Sequence, residues 1–240
     1  MKSTKFFHSE EIYNLKSPKE IVPVLVDIFQ PKSVVDFGCG LGTFLYCFKE
    51  LGVQRVTGMD GAWVDKNLLK KYLEADEFIE TDLQKPDLDC KERFDLAISV
   101  EVAEHLSPET ADRFIENVVS LSDNIVFSAA IPGQGGQGHI NEQWPSYWIP
   151  KFEKHGYVCY DILRPHFWDN PNVLWWYKQN MLVFSKDKSF THRLDKSRVV
   201  DIVHPGLLRA SQDTVNGNSG FASTVKVLLR VILKKIGIGK

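Results

Sequence analysis

The chain has 240 residues, of which 43% are hydrophobic and 25% are charged. This composition excludes a fibrous or largely disordered protein, and the length suffices for one α/β domain with an additional segment. Charged residues lie in the N-terminal stretch where an export signal needs an apolar run, so we expect a cytoplasmic protein. The four cysteines form no CxxC pair, which argues against a zinc ribbon and suits a reducing compartment.

The predicted elements alternate between helices and strands along most of the chain. Hydrophobic periodicity predicts helices at 18–29, 43–51, 64–74 and 108–121. Short runs rich in β-branched or aromatic residues predict strands at 33–37, 55–59, 77–81, 94–99, 124–130, 157–163 and 180–185. We expect the last two strands to form an antiparallel pair, joined by a long aromatic connection without a helix. The alternation indicates an α/β fold, a doubly wound and mostly parallel sheet with helices on both faces.

The two ends of the chain differ in character from its centre. We divide the chain into an N-terminal helical extension (1–30), a central α/β domain (31–185) and a basic C-terminal extension (186–240). The C-terminal extension has 11 Lys and Arg against 4 Asp and Glu, and the rest of the chain has 18 against 27. A basic tail on an acidic body indicates an anionic partner, such as a membrane surface, a nucleic acid or a polyanionic glycan, unless the tail is simply solvated. Residues 224–240 are too few to span a membrane comfortably, but they fit peripheral contact as a basic amphipathic helix, or docking on the protein or a second copy.

A glycine-rich turn follows the first predicted strand. The strand ends in Asp36, the turn contains Gly38, Gly40 and Gly42, and a helix begins directly afterwards. Glycines there allow a sharp turn and the close approach of a ligand at the carboxyl edge of the sheet. The spacing is GxGxG and not the GxGxxG of dinucleotide sites, which disfavours a NAD-dependent oxidoreductase. An acid just before the first glycine suits a ligand with a positively charged amino acid moiety.

Two more acids stand at the ends of the next strands. Asp60 ends the second strand, where a carboxylate can accept hydrogen bonds from both ribose hydroxyls. Asp82, followed by Leu83, comes after the third strand, where it can accept from an adenine amino group while the adjacent backbone contacts the ring. Three acids at three successive strand ends around one glycine turn indicate a nucleoside cofactor site.

With the segment FDLAISVEVAEHL at 94–106, this order of motifs resembles the class I S-adenosylmethionine-dependent methyltransferases over residues 30–185. The resemblance implies a seven-stranded, Rossmann-like sheet with one antiparallel strand. It implies that Asp36 and the three glycines border the methionine moiety, that Asp60 holds the ribose and that Asp82 and Leu83 hold the adenine. Val100, after the fourth strand, is implied to lie near the methionine end.

Candidate catalytic residues follow the fourth and fifth strands. A hydroxyl acceptor must lose its proton during methyl transfer, so a base or a metal is expected there. Glu101, Glu104 and His105 share one face if that segment is a helical turn, and His139 from the next loop completes a set suited to a divalent ion such as Mg²⁺. This spacing is similar to the metal site of small-RNA 2′-O-methyltransferases and ubiquinone-pathway O-methyltransferases. In the alternative, His105 and Glu104 orient the turn and His139 alone is the general base.

The second half of the chain indicates the acceptor. A glycine-rich loop at 130–139 is expected to act as a lid or substrate loop, and five of the six tryptophans lie between residues 144 and 176. Aromatic side chains beside the methyl site suit sugar faces or stacked bases. The segment also resembles bacterial methyltransferases of surface-glycan biosynthesis, which favours a small-molecule or glycan hydroxyl as acceptor. The alternatives are an RNA ribose 2′-O-methyltransferase, disfavoured by the lack of a recognisable basic groove, and a non-catalytic S-adenosylmethionine-binding module.

Overall fold

The computed structural model describes residues 13–85, 90, 92–188, 200–215, 218, 220, 225 and 227–229. Two compact units divide the chain, Met1–Ile202 and Val203–Lys240. The first helix is part of the larger unit, and the boundaries that we predicted after residues 30 and 185 stay predictions.

The larger unit contains a seven-stranded sheet. Its strands are β1 (Ser33–Phe37), β2 (Arg55–Asp60), β3 (Phe78–Glu80), β4 (Leu96–Val100), β5 (Asn124–Ser128), β6 (Val158–Tyr160) and β7 (Leu182–Ser185). They lie in the order β3-β2-β1-β4-β5-β7-β6, and β7 is antiparallel to both of its neighbours. The chain order reverses between β1 and β4, and this switch point is where open α/β sheets bind ligands. The predicted sheet and its single antiparallel strand are confirmed.

In the described part of the larger unit, seven α-helices surround the sheet: α1 (Lys16–Phe29), α2 (Thr43–Glu50), α3 (Lys66–Leu69), α4 (Ala111–Leu121), α5 (Pro145–Glu153), α6 (Leu163–Phe167) and α7 (Trp175–Asn180). The connection between β6 and β7 was expected to lack helices, and this prediction is wrong, since α6 and α7 lie there. Its many aromatic residues obscured the short helical periodicity. In the smaller unit, the structure describes α8 (Pro205–Val215).

Two apolar layers, one on each face of the sheet, form the core. Successive strand residues point to opposite faces, so Val34 packs in the layer that includes α1 and α2, whereas Val35 packs in the layer that includes α4. The strands are therefore buried on both faces, which explains their nearly continuous apolar sequences.

The start of α1 is bound to the connection before α7. Ser17 Oγ accepts a hydrogen bond from the backbone amide of Leu174 at 3.0 Å, and the Glu20 carboxylate accepts from the side-chain amides of Asn170 and Asn172. These bonds hold the N-terminal helix at the switch-point edge of the sheet. Among the described residues, no helix is both long and apolar enough to cross a membrane. Most of the predicted amphipathic segment at 224–240 lies outside the described residues.

Candidate active site

The glycine turn after β1 is bound to the end of β2. The amides of Gly38 and Cys39 donate to the carbonyl of Met59 at 2.7 and 3.2 Å. Gly38 has a φ of +80°, and a Cβ built there lies 2.4 Å from a methyl group of Val102. A side chain at this position would therefore meet both backbone strain and a steric clash, which is why the turn requires glycine.

Two of the three predicted acids lie together at this edge. Asp60 accepts hydrogen bonds from the amides of Gly40 (2.8 Å) and Gly61 (2.7 Å), so its carboxylate ties the turn to β2. Asp36 is 4% exposed, and burial together with the negative charge of Asp60 raises the pKa of its carboxyl group well above the ordinary value. A cation bound beside this pair would favour the ionised form of Asp36.

The third acid lies one strand further along the same edge. The amide of Thr81 donates to the carbonyl of Asp60 at 2.8 Å, which places the end of β3 beside β2. Asp82 accepts from the amide of Gln84 at 3.0 Å, and Leu83 is buried. Asp36, Asp60 and Asp82 therefore stand at the ends of three adjacent strands, β1, β2 and β3.

A cavity opens between the glycine turn and the start of α1. Of the predicted cofactor residues, Asp36, Gly38 and Val100 line it, whereas Gly40, Gly42, Asp60, Asp82 and Leu83 do not. Sequence reasoning missed the contributions of Tyr13 and Ser17, which line the cavity together with Tyr177 from the aromatic segment. No local motif marks Tyr13 or Ser17, because they reach the site only through the packing of α1.

Glu101 lies just beyond Val100, in a partly buried network of amide side chains. Its φ is +57°, so its backbone is left-handed and the residue does not belong to a helical turn. One carboxylate oxygen accepts from Gln134 Nε2 at 2.6 Å, and the other accepts from Asn180 Nδ2 at 3.0 Å. Burial raises the pKa of Glu101 to about 7, although hydrogen bonds from Asn180, Ser128 and Gln134 act in the opposite direction.

Glu104, His105 and His139 form a separate cluster, and one ligand atom from each lies within 4.8 Å of the others. The rings of His105 and His139 meet edge to face at 4.8 Å, and His139 Nε2 is 4.0 Å from a Glu104 carboxylate oxygen. The helical turn that would place Glu101 on one face with Glu104 and His105 is not formed, since the turn that carries the latter two begins only at Ala103.

The electrostatics of this cluster are unusual for a protein interior. Glu104 is fully buried, and neither of its carboxylate oxygens accepts a hydrogen bond of ordinary geometry. Burial and the charge of Glu101 raise the pKa of Glu104 well above its usual range, although the amides of Glu104 and Ala130 lie close enough to oppose this. Burial lowers the pKa of His105 to about 4, so this imidazole is neutral at physiological pH. A buried carboxyl group whose oxygens accept no hydrogen bond of ordinary geometry, beside neutral imidazole nitrogen, is a donor set that fits a divalent cation.

The glycine-rich loop carries His139 and is fixed by Glu142. The Glu142 carboxylate accepts from the amides of Gly133 (2.8 Å) and Gly135 (2.7 Å), and it lies 2.9 Å from His139 Nδ1. A carboxylate at Nδ1 keeps the proton on that nitrogen, which leaves Nε2 as the basic atom.

The aromatic side chains that we expected beside the methyl site are divided between core and surface. Trp148 and Phe167 are buried, whereas the remaining tryptophans of the segment, Trp144, Trp168, Trp175 and Trp176, are partly exposed. Edge contacts join Trp175 to Trp176 and Trp176 to Tyr177, with ring centroids 5.3 and 5.9 Å apart. Because Tyr177 lines the cavity, this series of rings leads from the cavity to the surface.

Comparison with known proteins identifies the family. The model of the methyltransferase domain family matches residues 11–177, whereas no curated protein matches the sequence significantly. A protein from Nostoc punctiforme PCC 73102, predicted to be an O-methyltransferase, is similar with a TM-score of 0.53 and 14% identity. The match covers 71% of this chain and 56% of that protein, so this chain spans about half of its length.

Two further solved structures share the fold. The methyltransferase domain of bacterial CtHen1 has a TM-score of 0.51 and 21% identity, over 72% of this chain and all of that domain. Magnesium protoporphyrin IX methyltransferase from Synechocystis PCC 6803, solved with bound S-adenosylmethionine, has a TM-score of 0.50 and 16% identity, over 71% of this chain and 77% of that one. The glycine turn, the three acids at the sheet edge and the family match lead to one conclusion. The chain belongs to the methyltransferase domain family, and it is an enzyme that transfers methyl groups from S-adenosylmethionine.

Proposed function

We propose that this methyltransferase modifies a hydroxyl group of a sugar or glycan. The acceptor oxygen attacks the methyl carbon in line with the carbon–sulfur bond, that bond breaks, and S-adenosylhomocysteine leaves. The hydroxyl proton passes to a base on the enzyme. Alignment and exclusion of water provide most of the acceleration, because the sulfonium methyl group is already electrophilic.

His139 carries the proposal. Its Nδ1 is bound to the Glu142 carboxylate at 2.9 Å, so Nε2 is available to accept the hydroxyl proton. The Glu142 carboxylate at Nδ1 would stabilise the imidazolium that forms, and Nε2 lies 4.0 Å from a carboxyl oxygen of Glu104. A base held in this way is needed for a hydroxyl acceptor, since an alcohol must lose its proton as the new bond forms.

The partly exposed tryptophans support a sugar acceptor. Trp175 and Trp176 offer aromatic faces and edges next to Tyr177, which reaches the cavity. The apolar face of a pyranose packs well against such rings, while its hydroxyls remain available to polar groups. The predicted role of the glycine-rich loop as a lid or substrate loop belongs to the same proposal.

A divalent ion is a second way to activate the hydroxyl. Glu104, His105 and His139 would hold it, and the ion would offset the burial of the Glu104 carboxylate, whose oxygens accept no hydrogen bond of ordinary geometry. When bound, such an ion lowers the pKa of a coordinated hydroxyl. Calorimetric titration with Mg²⁺ and Mn²⁺, repeated on His105→Ala, separates the two mechanisms. The absence of heat from the wild type rules out the ion and leaves His139 as the base.

The same cluster favours RNA 2′-O-methylation as the second candidate, because the family resemblance implies a metal site of this spacing in small-RNA 2′-O-methyltransferases. A salt-sensitive gel shift with single-stranded RNA would support it.

The deciding experiment is a methyl-transfer screen. Sugar nucleotides, oligosaccharides and single-stranded RNA are incubated with S-adenosylmethionine, and mass spectrometry detects the gain of one CH₂ group. We expect a sugar product that disappears with His139→Ala and persists with His155→Ala, which changes an exposed histidine at the end of α5. Methylation of RNA alone would contradict the sugar acceptor, and unchanged activity of His139→Ala in the absence of metal would contradict the base.

A further inference from the structure

Gln134 lies in a polar pocket that is complementary to its carboxamide. Its Oε1 accepts hydrogen bonds from Asn180 Nδ2 at 2.9 Å and from Gln179 Nε2 at 3.3 Å, and the amide of Ile131 lies 3.4 Å away. Its Nε2 donates to the Glu101 carboxylate at 2.6 Å. The carboxamide therefore satisfies two donors on one side and one acceptor on the other.

This pocket adjoins the cofactor cavity. Glu101 directly follows Val100, and Asn180 lies one helical turn after Tyr177, and both Val100 and Tyr177 line the cavity. Gln179 and Asn180 are 1% and 3% exposed, so their side-chain amides are withdrawn from solvent. Two buried amide donors facing a carboxylate beside a transfer site are suited to orient a polar ligand.

The side chain that fills the pocket comes from a loop and not from the sheet or a helix. Gly133 and Gly135, on either side of Gln134, have φ values of +87° and +69°, and open space surrounds the position of a Cβ at both. Glycine is therefore required at these positions by the left-handed backbone that directs Gln134 inwards, and not by close packing.

We propose that Glu101, Gln179 and Asn180 form a subsite for vicinal hydroxyl groups of the acceptor, which Gln134 occupies while no acceptor is bound. This inference rests on the proposed function, because it takes the acceptor to be a sugar. One hydroxyl oxygen accepts from Asn180 and Gln179 in place of Gln134 Oε1, and the neighbouring hydroxyl donates to Glu101 in place of Gln134 Nε2. Binding of the acceptor then displaces the side chain of Gln134 from the subsite.

The test compares two probes that differ by one hydroxyl, cis-1,2-cyclohexanediol and cyclohexanol. Their binding to the full chain saturated with S-adenosylhomocysteine is measured by ligand-observed NMR, which detects weak affinities. Removing the competing side chain in Gln134→Ala should tighten binding of the diol about five- to tenfold, the value of one or two net hydrogen bonds, and leave cyclohexanol unchanged. The control is Gln137→Ala, which replaces an exposed glutamine in the same loop and should bind the diol as the wild type does.

Gln134→Glu provides an isosteric second variant if Gln134→Ala does not fold. A carboxylate at position 134 faces Glu101, so repulsion should expel it and also tighten binding of the diol. Equal or weaker binding of the diol to both variants, or equal gains for diol and cyclohexanol, would overturn the subsite. Calorimetry with S-adenosylhomocysteine confirms that the cofactor is bound in each variant, and the methyl-transfer screen tests the acceptor. A sugar product without the gain for the diol rejects only the subsite, whereas the absence of a sugar product rejects the proposed function on which the subsite rests.

Discussion

Replacing Gly38 by alanine tests the geometry of the glycine turn. The left-handed φ of +80° costs an alanine about 1–2 kcal/mol. The new Cβ would also lie 2.4 and 2.7 Å from the two methyl groups of Val102, and such overpacking costs about 1–3 kcal/mol more. We therefore expect Gly38→Ala to lower the free energy of unfolding by about 2–5 kcal/mol and to weaken S-adenosylhomocysteine binding, because the turn must shift away from Val102.

Gly52→Ala is the matched control. Gly52 has a φ of +88°, but no atom lies within 4 Å of its Cβ position, so only the backbone cost applies. Urea unfolding of both variants isolates the clash as the difference between them, about 1–3 kcal/mol. In a double-mutant cycle, Val102→Ala should recover part of that difference in Gly38→Ala. Equal destabilisation by the two alanines, together with unchanged cofactor binding, would refute the reasoning.

The remaining predictions concern charge and proton transfer. His139→Ala should lower kcat about 10²–10⁴-fold without changing S-adenosylhomocysteine affinity, and similar turnover of His139→Ala and His155→Ala would contradict this. Burial raises the pKa of Glu101 from 4.5 to about 7, so the folded state holds this proton more tightly, and the resulting stabilisation is lost as the pH rises from 4.5 towards 7. In urea unfolding, Glu101→Gln should therefore gain stability relative to the wild type across that pH range, by up to about 3 kcal/mol. Parallel curves of stability against pH for the two proteins would contradict the raised pKa of Glu101. Asp161→Ala should lower the free energy of unfolding by about 3 kcal/mol in thermal or urea unfolding. The substitution removes the carboxylate that lies 2.6 and 2.8 Å from the guanidinium of Arg164, which is 1% exposed. A loss below about 1 kcal/mol would show that the pair does not stabilise the fold.

The sheet and the cofactor edge could be predicted because their signals are local. Val34 to Asp36 form a buried strand next to a glycine turn, and the acids at 60 and 82 each follow a strand at the same edge. In a parallel sheet all such strand ends meet at one edge, so spacing along the chain is sufficient to bring them together.

The rest of the site depends on tertiary packing and on backbone geometry that the sequence does not mark. Tyr13 reaches the cavity only because α1 is bound to the connection before α7. Glu101 was grouped with Glu104 on helical spacing, but its backbone is left-handed and the turn that carries Glu104 begins only at Ala103. Gln134 and Asn180 lie far apart in the sequence, and no pattern predicted that their side chains meet on Glu101.

A crystal structure with S-adenosylhomocysteine tests most directly whether the switch-point edge of the sheet binds the methyl donor. We predict the homocysteine beside Asp36 and the Gly38 turn, the ribose at Asp60 and the adenine near Asp82 and Leu83. Density for the ligand elsewhere, or binding of a nicotinamide dinucleotide at this edge in its place, would contradict the account.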